Sequence, residues 1–188
     1  MTGARAGGVL DFVLLCGELK RTKRTGWVNN NVTLPESISD HMHRMGLLAF
    51  LCDDKTLDKT RCVKIAMVHD LAEAIVGDIT PYDGVSKEAK EKMEDDAMKS
   101  IWTETLQDSE AGKELYELWR EYEDASTPEA LFVKDLDKFE MICQAFEYEK
   151  AENRPGGLQT FFDGTEGVFS TPQVKSWVEE LKSRRKGE

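Results

Sequence analysis

Apolar residues in this chain recur at the spacing of helices, and runs of alternating β-branched residues are almost absent. A pattern with a period near 3.6 keeps one face toward a core only as a helix, so the chain is expected to be all-α. The stretch from Val9 to Lys20 sets Leu10, Val13, Leu14 and Leu19 on one side. After a polar stretch to Pro35, Ser37 reads as an N-cap with Asp40 three residues on, opening a helix that carries Met45, Leu48, Ala49 and Cys52. One helix is expected from about Asp58 to Val76, stopped by Gly77. Two amphipathic helices follow, around Met93, Ala97, Ile101 and Leu106, and around Leu115, Leu118, Trp119 and Tyr122. Thr127-Pro128 opens another that runs to about Glu149, a loop holds Phe161-Phe162, and a last helix spans Pro172 to Arg184 with a frayed tail from Lys182. With 188 residues, and no repeat or linker, residues 1–188 are expected to form a single domain with a core from about 10 to 177 and short flexible termini.

Acidic residues outnumber basic ones by 36 to 25, a net charge of -11 that opposes the broad phosphate footprint a nucleic-acid polymer requires. A small anion would need cations supplied locally, by metal ions or by placed side chains such as those of Lys20, Arg21, Lys23 and Arg24. Cys16, Cys52, Cys62 and Cys143 are widely spaced and form no Cys-x-x-Cys motif, so they are expected to be buried, reduced thiols. No window reaches the roughly 18 apolar residues of a membrane span, and no secretory signal is evident. The expected setting is soluble and cytoplasmic, with no membrane partner.

Within the helix expected over 58–76, the pair His69-Asp70 interrupts the apolar run Ile65, Ala66, Met67, Val68, Leu71, Ala72. A buried aspartate there requires a partner, and a metal ion supplies one. Together with the distant His41 and Asp137, the pair offers neutral nitrogen and hard oxygen donors without thiolate, which suits Mn, Fe, Co or Mg ions and metal-assisted hydrolysis. On a continuous helix His69 and Glu73 share a face, while Asp70 is turned by about 100°. His43, two residues from His41 and about 200° around the helix, is assigned to the surface. Bland alternatives exist for single residues: Asp78 closing a turn after Gly77, Glu73 solvated, Asp137 paired with Lys134 or Lys138.

The strings Arg24-Thr-Gly-Trp27, Pro35-Glu-Ser-Ile-Ser-Asp-His41-Met, Val68-His-Asp-Leu-Ala-Glu73, Val76-Gly-Asp-Ile79 and Phe132-Val-Lys-Asp-Leu-Asp137-Lys resemble the HD-domain metal-dependent phosphohydrolases. Within them, the likeness is to eukaryotic 5'-deoxynucleotidases, and it extends from about Leu10 to Trp177. The resemblance implies a helical HD-domain bundle that hydrolyses deoxyribonucleoside 5'-monophosphates to deoxynucleosides and phosphate with a divalent metal ion, Mn2+, Co2+ or Mg2+. It assigns His41, His69, Asp70 and Asp137 to a first ion. Glu73, Asp78 and the carbonyl of Ile79 match positions that hold a second ion in some relatives, whereas in others Glu73 is catalytic. Asp78 is also carried over to catalysis and substrate binding. Bound ions would neutralise the carboxylates, lower the pKa of a water and stabilise charge on the phosphoryl group.

By the same resemblance Trp27 would pack on sugar or base and Arg24 would meet phosphate. Here the chain departs from its bacterial relatives, with Gly26 directly before the tryptophan. Arg24 is therefore read either as a phosphate contact or as part of a solvated basic turn. A homodimer is also implied, with exposed apolar residues of the later helices as its interface. The alternatives are another HD-type nucleotide phosphohydrolase and a non-enzymatic helical scaffold with a structural metal.

Overall fold

The computed structural model describes residues 3–80 and 82–187. Helix dominates it: α1 (Ala6–Arg21), α2 (Thr25–Asn29), α3 (Ile38–Ala49), α4 (Lys59–Ala66), α5 (Glu73–Val76), α6 (Lys87–Ser100), α7 (Glu110–Asp124), α8 (Pro128–Ala151), α9 (Gln159–Asp163) and α10 (Pro172–Lys186), with a wider π turn at Ile101–Thr105 after α6. Among the described residues the only β-type pairing is an isolated antiparallel bridge between Lys23 and Ser37. No helix of the described residues is long and apolar enough to cross a membrane.

The centre is α8. Ala130, Phe132, Val133, Leu136, Ile142 and Ala145 are buried, and Asp135, Glu140 and Glu149 with them, so the helix is enclosed on several sides rather than along one stripe. It packs on α3 and α4, which also pack on each other, while α7 and α10 cover it further along. Local signals open these helices as expected. Ser37 and Asp40 form a reciprocal capping box at α3, and the Thr127 hydroxyl accepts the Ala130 N–H with Pro128 in the first turn of α8.

Six expectations are corrected. The helix expected over 58–76 breaks: α4 ends at Ala66, and α5 restarts at Glu73. A short α2 stands in the stretch read as polar loop, and Phe161-Phe162 lie in α9 rather than in a loop. Helix α10 continues to Lys186, so most of the tail expected to fray is helical. On α1 the packed side is Phe12, Leu15, Cys16 and Leu19, whereas Leu10, Val13 and Leu14 are exposed. The helix is apolar on two sides, and periodicity alone does not say which one meets α3 and α5. Of the four thiols, Cys52 and Cys62 are buried, while Cys16 and Cys143 are only partly covered.

Glu149 ties three helices together. Its carboxylate accepts two bonds from Arg185 of α10, at 2.7 and 2.9 Å, and one from the Leu158 N–H at the start of α9, at 2.9 Å. Arg185 also lies 3.8 Å from the Phe162 ring centroid. Burial pushes the Glu149 carboxyl up, but the bonds from Arg185 and Leu158 outweigh it and leave it below the ordinary glutamate value. A carboxyl lowered in the folded state stabilises above its unfolded pKa and loses that contribution as pH falls through its folded value. Glu149→Ala is expected to lower unfolding stability by about 3 kcal/mol at pH 7, read from urea denaturation. The gap between wild type and Glu149→Gln should shrink as pH falls below about 4.

Candidate metal centre

The break between α4 and α5 builds the site. After Ala66 the backbone tightens: Val68 N–H and His69 N–H both bond Ile65 O, Leu71 N–H bonds Val68 O, and Glu73 N–H bonds Asp70 O. The imidazole of His69 replaces a helical partner, its Nδ1 standing 2.9 Å from the carbonyl of Ala66. A carbonyl only accepts, so Nδ1 carries the proton and Nε2 presents a lone pair. Released from helical geometry, the consecutive residues His69 and Asp70 point into one site, which an unbroken helix would prevent.

His41 comes from the first turn of α3 and Asp137 from the middle of α8. His69 Nε2 lies 3.3 Å from His41 Nε2 and 3.2 Å from Asp70 Oδ2, and His41 Nε2 lies 3.3 Å from Asp137 Oδ1 and 3.7 Å from Asp70 Oδ2. Bonds of about 2.0–2.2 Å to one ion set neighbouring donors about 3 Å apart, so His41, His69 and Asp137 fit a divalent cation, with Asp70 against the two imidazoles. Beside them Glu73 is 6 % exposed, and its Oε2 is buried without a hydrogen-bond partner. An orphaned buried carboxylate oxygen at this place is a further sign of a cation site.

The electrostatics agree. Burial pushes the Asp70 carboxyl up, but His69, His41 and Arg24 overcome it and bring it down to about 2. Asp137 is likewise held well below the aspartate range, burial being outweighed by His41, His69 and Arg24. For His41, burial and Arg24 oppose protonation, yet Asp137 and Glu140 raise its pKa to about 9. A proton on its Nε2 thus holds the place that a divalent ion would take, and binding would release it. Glu73 is pushed well above its ordinary value, first by burial and then by the charges of Asp70 and Asp78.

Several residues differ from their sequence reading. Arg24 is no part of a solvated turn: its side chain is 16 % exposed, with Nη1 3.5 Å from Asp70 Oδ2 and Nε 3.7 Å from Glu36 Oε1. Trp27 is 1 % exposed and presents no free face to a sugar or base. Its ring packs on Phe161 at 4.4 Å and edge-on to Tyr148 at 5.3 Å, and its Nε1–H donates to Glu36 at 2.9 Å. Gly26 makes room, since a Cβ there would stand 3.3 Å from the Phe161 ring. Asp78 neither closes a local turn nor joins the four donors; its Oδ2 accepts the Thr25 N–H at 2.6 Å and its carbonyl accepts the Thr25 hydroxyl, so it holds the start of α2 against the site. Gly77, at φ +75°, allows the backbone reversal that brings Asp78 back. The Ile79 carbonyl accepts a bond from Lys90 at 2.9 Å. His43 is exposed, as expected.

Sequence reasoning missed Glu140, Arg44 and Tyr122. Glu140, 0 % exposed, meets His41 Nδ1 at 2.6 Å and is held by Arg44 Nε at 2.8 Å. Tyr122 donates to Asp137 Oδ2 at 2.8 Å. Glu140 stands three residues after Asp137 on α8, a spacing that shares a helix face, which was the available signal.

A helical bundle that brings two imidazoles and the Asp137 carboxylate within ligating distance of one another, with Asp70 against both imidazoles, is the construction of a metal site of hydrolytic type. The chain belongs to the HD domain family, which matches residues 16–176. It is 53% identical over 185 residues to the 5'-deoxynucleotidase HDDC2 of Bos taurus, covering 98% of this chain and 89% of that one. It is 48% identical over 187 residues to the 5'-deoxynucleotidase hdd1 of Schizosaccharomyces pombe, covering 98% and 94%. Among solved structures, the PH0347 protein from Pyrococcus horikoshii OT3 superposes with a TM-score of 0.76 at 34% identity, covering 95% of this chain and 99% of that one.

A histidine ligand is oriented by what its other nitrogen bonds, and loss of such a partner weakens metal affinity by about 10–100-fold. Glu140→Ala is expected to weaken Mn2+ binding to metal-stripped protein by that amount in calorimetry, while Glu140→Gln, which still accepts from Nδ1, recovers part of it.

Proposed function

We propose that this protein is a divalent-metal-dependent 5'-deoxynucleotidase that hydrolyses deoxyribonucleoside 5'-monophosphates to deoxynucleosides and phosphate. The observation that carries this reading is the convergence of His41, His69, Asp70 and Asp137 beside the unpartnered carboxylate of Glu73 and the inward guanidinium of Arg24. Close identity to named 5'-deoxynucleotidases over nearly the whole chain supports the substrate class. The donor set, nitrogen and oxygen without thiolate, suits Mn2+, Co2+ or Mg2+ held by His41, His69, Asp70 and Asp137. When bound, such an ion supplies Lewis acidity toward water and the phosphate oxygens.

Water attacks phosphorus, the bond to the 5' oxygen breaks, and inorganic phosphate and a free 5'-hydroxyl result. Glu73, pushed well above its ordinary value by burial and by Asp70 and Asp78, is the group that orients the water and takes its proton. Arg24, kept charged by Asp70, Asp137, Glu140 and Glu36 despite its burial, meets the phosphate dianion. Trp27 serves by positioning: its N–H holds Glu36, and Glu36 steadies Arg24. Asp78 positions the same segment through Thr25. A cytosolic setting belongs to this reading and is supported by the buried thiols of Cys52 and Cys62.

A homodimer is also part of the proposal, with its interface moved from the later helices to α1 and the end of α3. Leu10, Val13 and Leu14 on α1 and Leu47, Phe50 and Leu51 on and just after α3 are all more than half exposed, and these two helices pack side by side. Exposed apolar groups of this density mark interaction surfaces.

Phosphate release from deoxy- and ribonucleoside 5'-monophosphates, with metal-stripped protein to which Mn2+, Co2+ or Mg2+ is restored, tests the activity. Release is expected only with metal and only from deoxy substrates. Glu73→Gln should lose at least about 100-fold in kcat with the fold intact, and near wild-type turnover would remove Glu73 from the mechanism. Light scattering after size exclusion tests the assembly: wild type is expected at twice the chain mass and Leu10→Asp/Leu14→Asp at the monomer mass. A wild-type monomer, or a double variant that remains dimeric, would overturn the interface.

A further inference from the structure

Lys90 stands among the many charged residues of α6, and the fold half-buries it. It lies in the first turns of α6, with its Nζ on the Ile79 carbonyl at 2.9 Å and 3.6 Å from Oε1 of Glu94, a buried residue. The carboxylates of Glu94, Glu73, Asp70 and Asp78 all act on its ammonium. Glu73 itself keeps one buried oxygen without a partner. Of the oxygens that would be available to a second ion, the Ile79 carbonyl is therefore already held by a cation that the chain carries in its own covalent structure, and Glu73 and Asp78 feel its charge.

We propose that Lys90 is the resident cation of this second position, and that its ammonium and a second divalent ion compete for the Ile79 carbonyl. This rests on the reading of His41, His69, Asp70 and Asp137 as the first-ion site. An ammonium on the Ile79 carbonyl withholds one donor outright, and its charge opposes a divalent ion at that oxygen. A second ion enters only as Lys90 leaves Ile79. The lysine is a positioning and charge-balancing residue. It lets the acidic wall formed by Glu73, Asp78 and Glu94 coexist with an incoming phosphate dianion while a single ion is bound.

The test is a Mn2+ titration of metal-stripped full-length protein, followed by calorimetry and by the paramagnetic resonance of free Mn2+, for wild type, Lys90→Met, Lys90→Gln and Lys90→Arg. Wild type and Lys90→Arg are expected to bind one ion tightly and a second weakly. Lys90→Met and Lys90→Gln, which lack the charge, should bind the second ion at least about tenfold more tightly and leave the first unchanged. Thermal unfolding of the metal-stripped proteins identifies any variant that fails to fold, and the remaining neutral variant then decides. Second-ion affinity that is unchanged or weaker in a folded neutral variant would overturn the proposal, as would equal, tight binding of two ions by wild type. The titration contains no nucleotide, so absence of phosphatase activity would count against the proposed reaction without touching this result.

Discussion

Crowding of carboxylates around one point is the constraint on which the rest of the structure depends. Asp70, Asp137, Glu73, Glu140 and Glu36 lie close together with little solvent to disperse their charge. Like charges brought out of water this way are tolerated only when cations or strong donors meet them. The fold answers with Arg24 between Asp70 and Glu36, Arg44 on Glu140, Tyr122 on Asp137, Lys90 near Glu73 and the two imidazoles in the middle. Each comes from a different part of the chain, so neutralising the site and joining α1–α2, α3, the 66–78 segment, α6, α7 and α8 are the same event.

The backbone break after Ala66 converts this crowding into chemistry. A regular helix would turn Asp70 about 100° away from the face shared by His69 and Glu73, whereas the tightened turns and the His69–Ala66 bond bring His69 and Asp70 to one site. Both imidazoles then have Nδ1 engaged, one by a carbonyl and the other by Glu140, and present Nε2 to the same point. The proton shared there in the metal-free protein and the ion proposed to replace it answer the same electrostatic need. The groups proposed to touch the reaction, Arg24 and Glu73, stand on short segments, while Glu140, which supports His41, is buried on the long helix α8.

Much of this was legible in the residues. The capping pairs Ser37–Asp40 and Thr127–Pro128 are local interactions, and they opened α3 and α8 where the sequence placed them. The four central donors were recognisable because aspartate and histidine within apolar stretches need partners, and His43 was correctly set on the surface from angular spacing alone. The break after Ala66 was hidden because apolar periodicity runs through it. Glu140, Tyr122 and Lys90 were hidden because each looks like an ordinary residue on an amphipathic helix until the neighbouring element is known.

The sequence by itself therefore determined the helical class, the helix starts, the kind of donors available and, through its motifs, the HD-domain resemblance. All of these depend on residues near one another in the chain or on residue type. Only the tertiary structure decided which side of α1 is covered, that Arg24 points inward, that Lys90 meets the Ile79 carbonyl, that Trp27 is enclosed, and that Asp78 clamps α2. Those outcomes depend on which distant surface meets a given side chain, and charge balance in a poorly screened interior selects that partner over a range that local periodicity does not report.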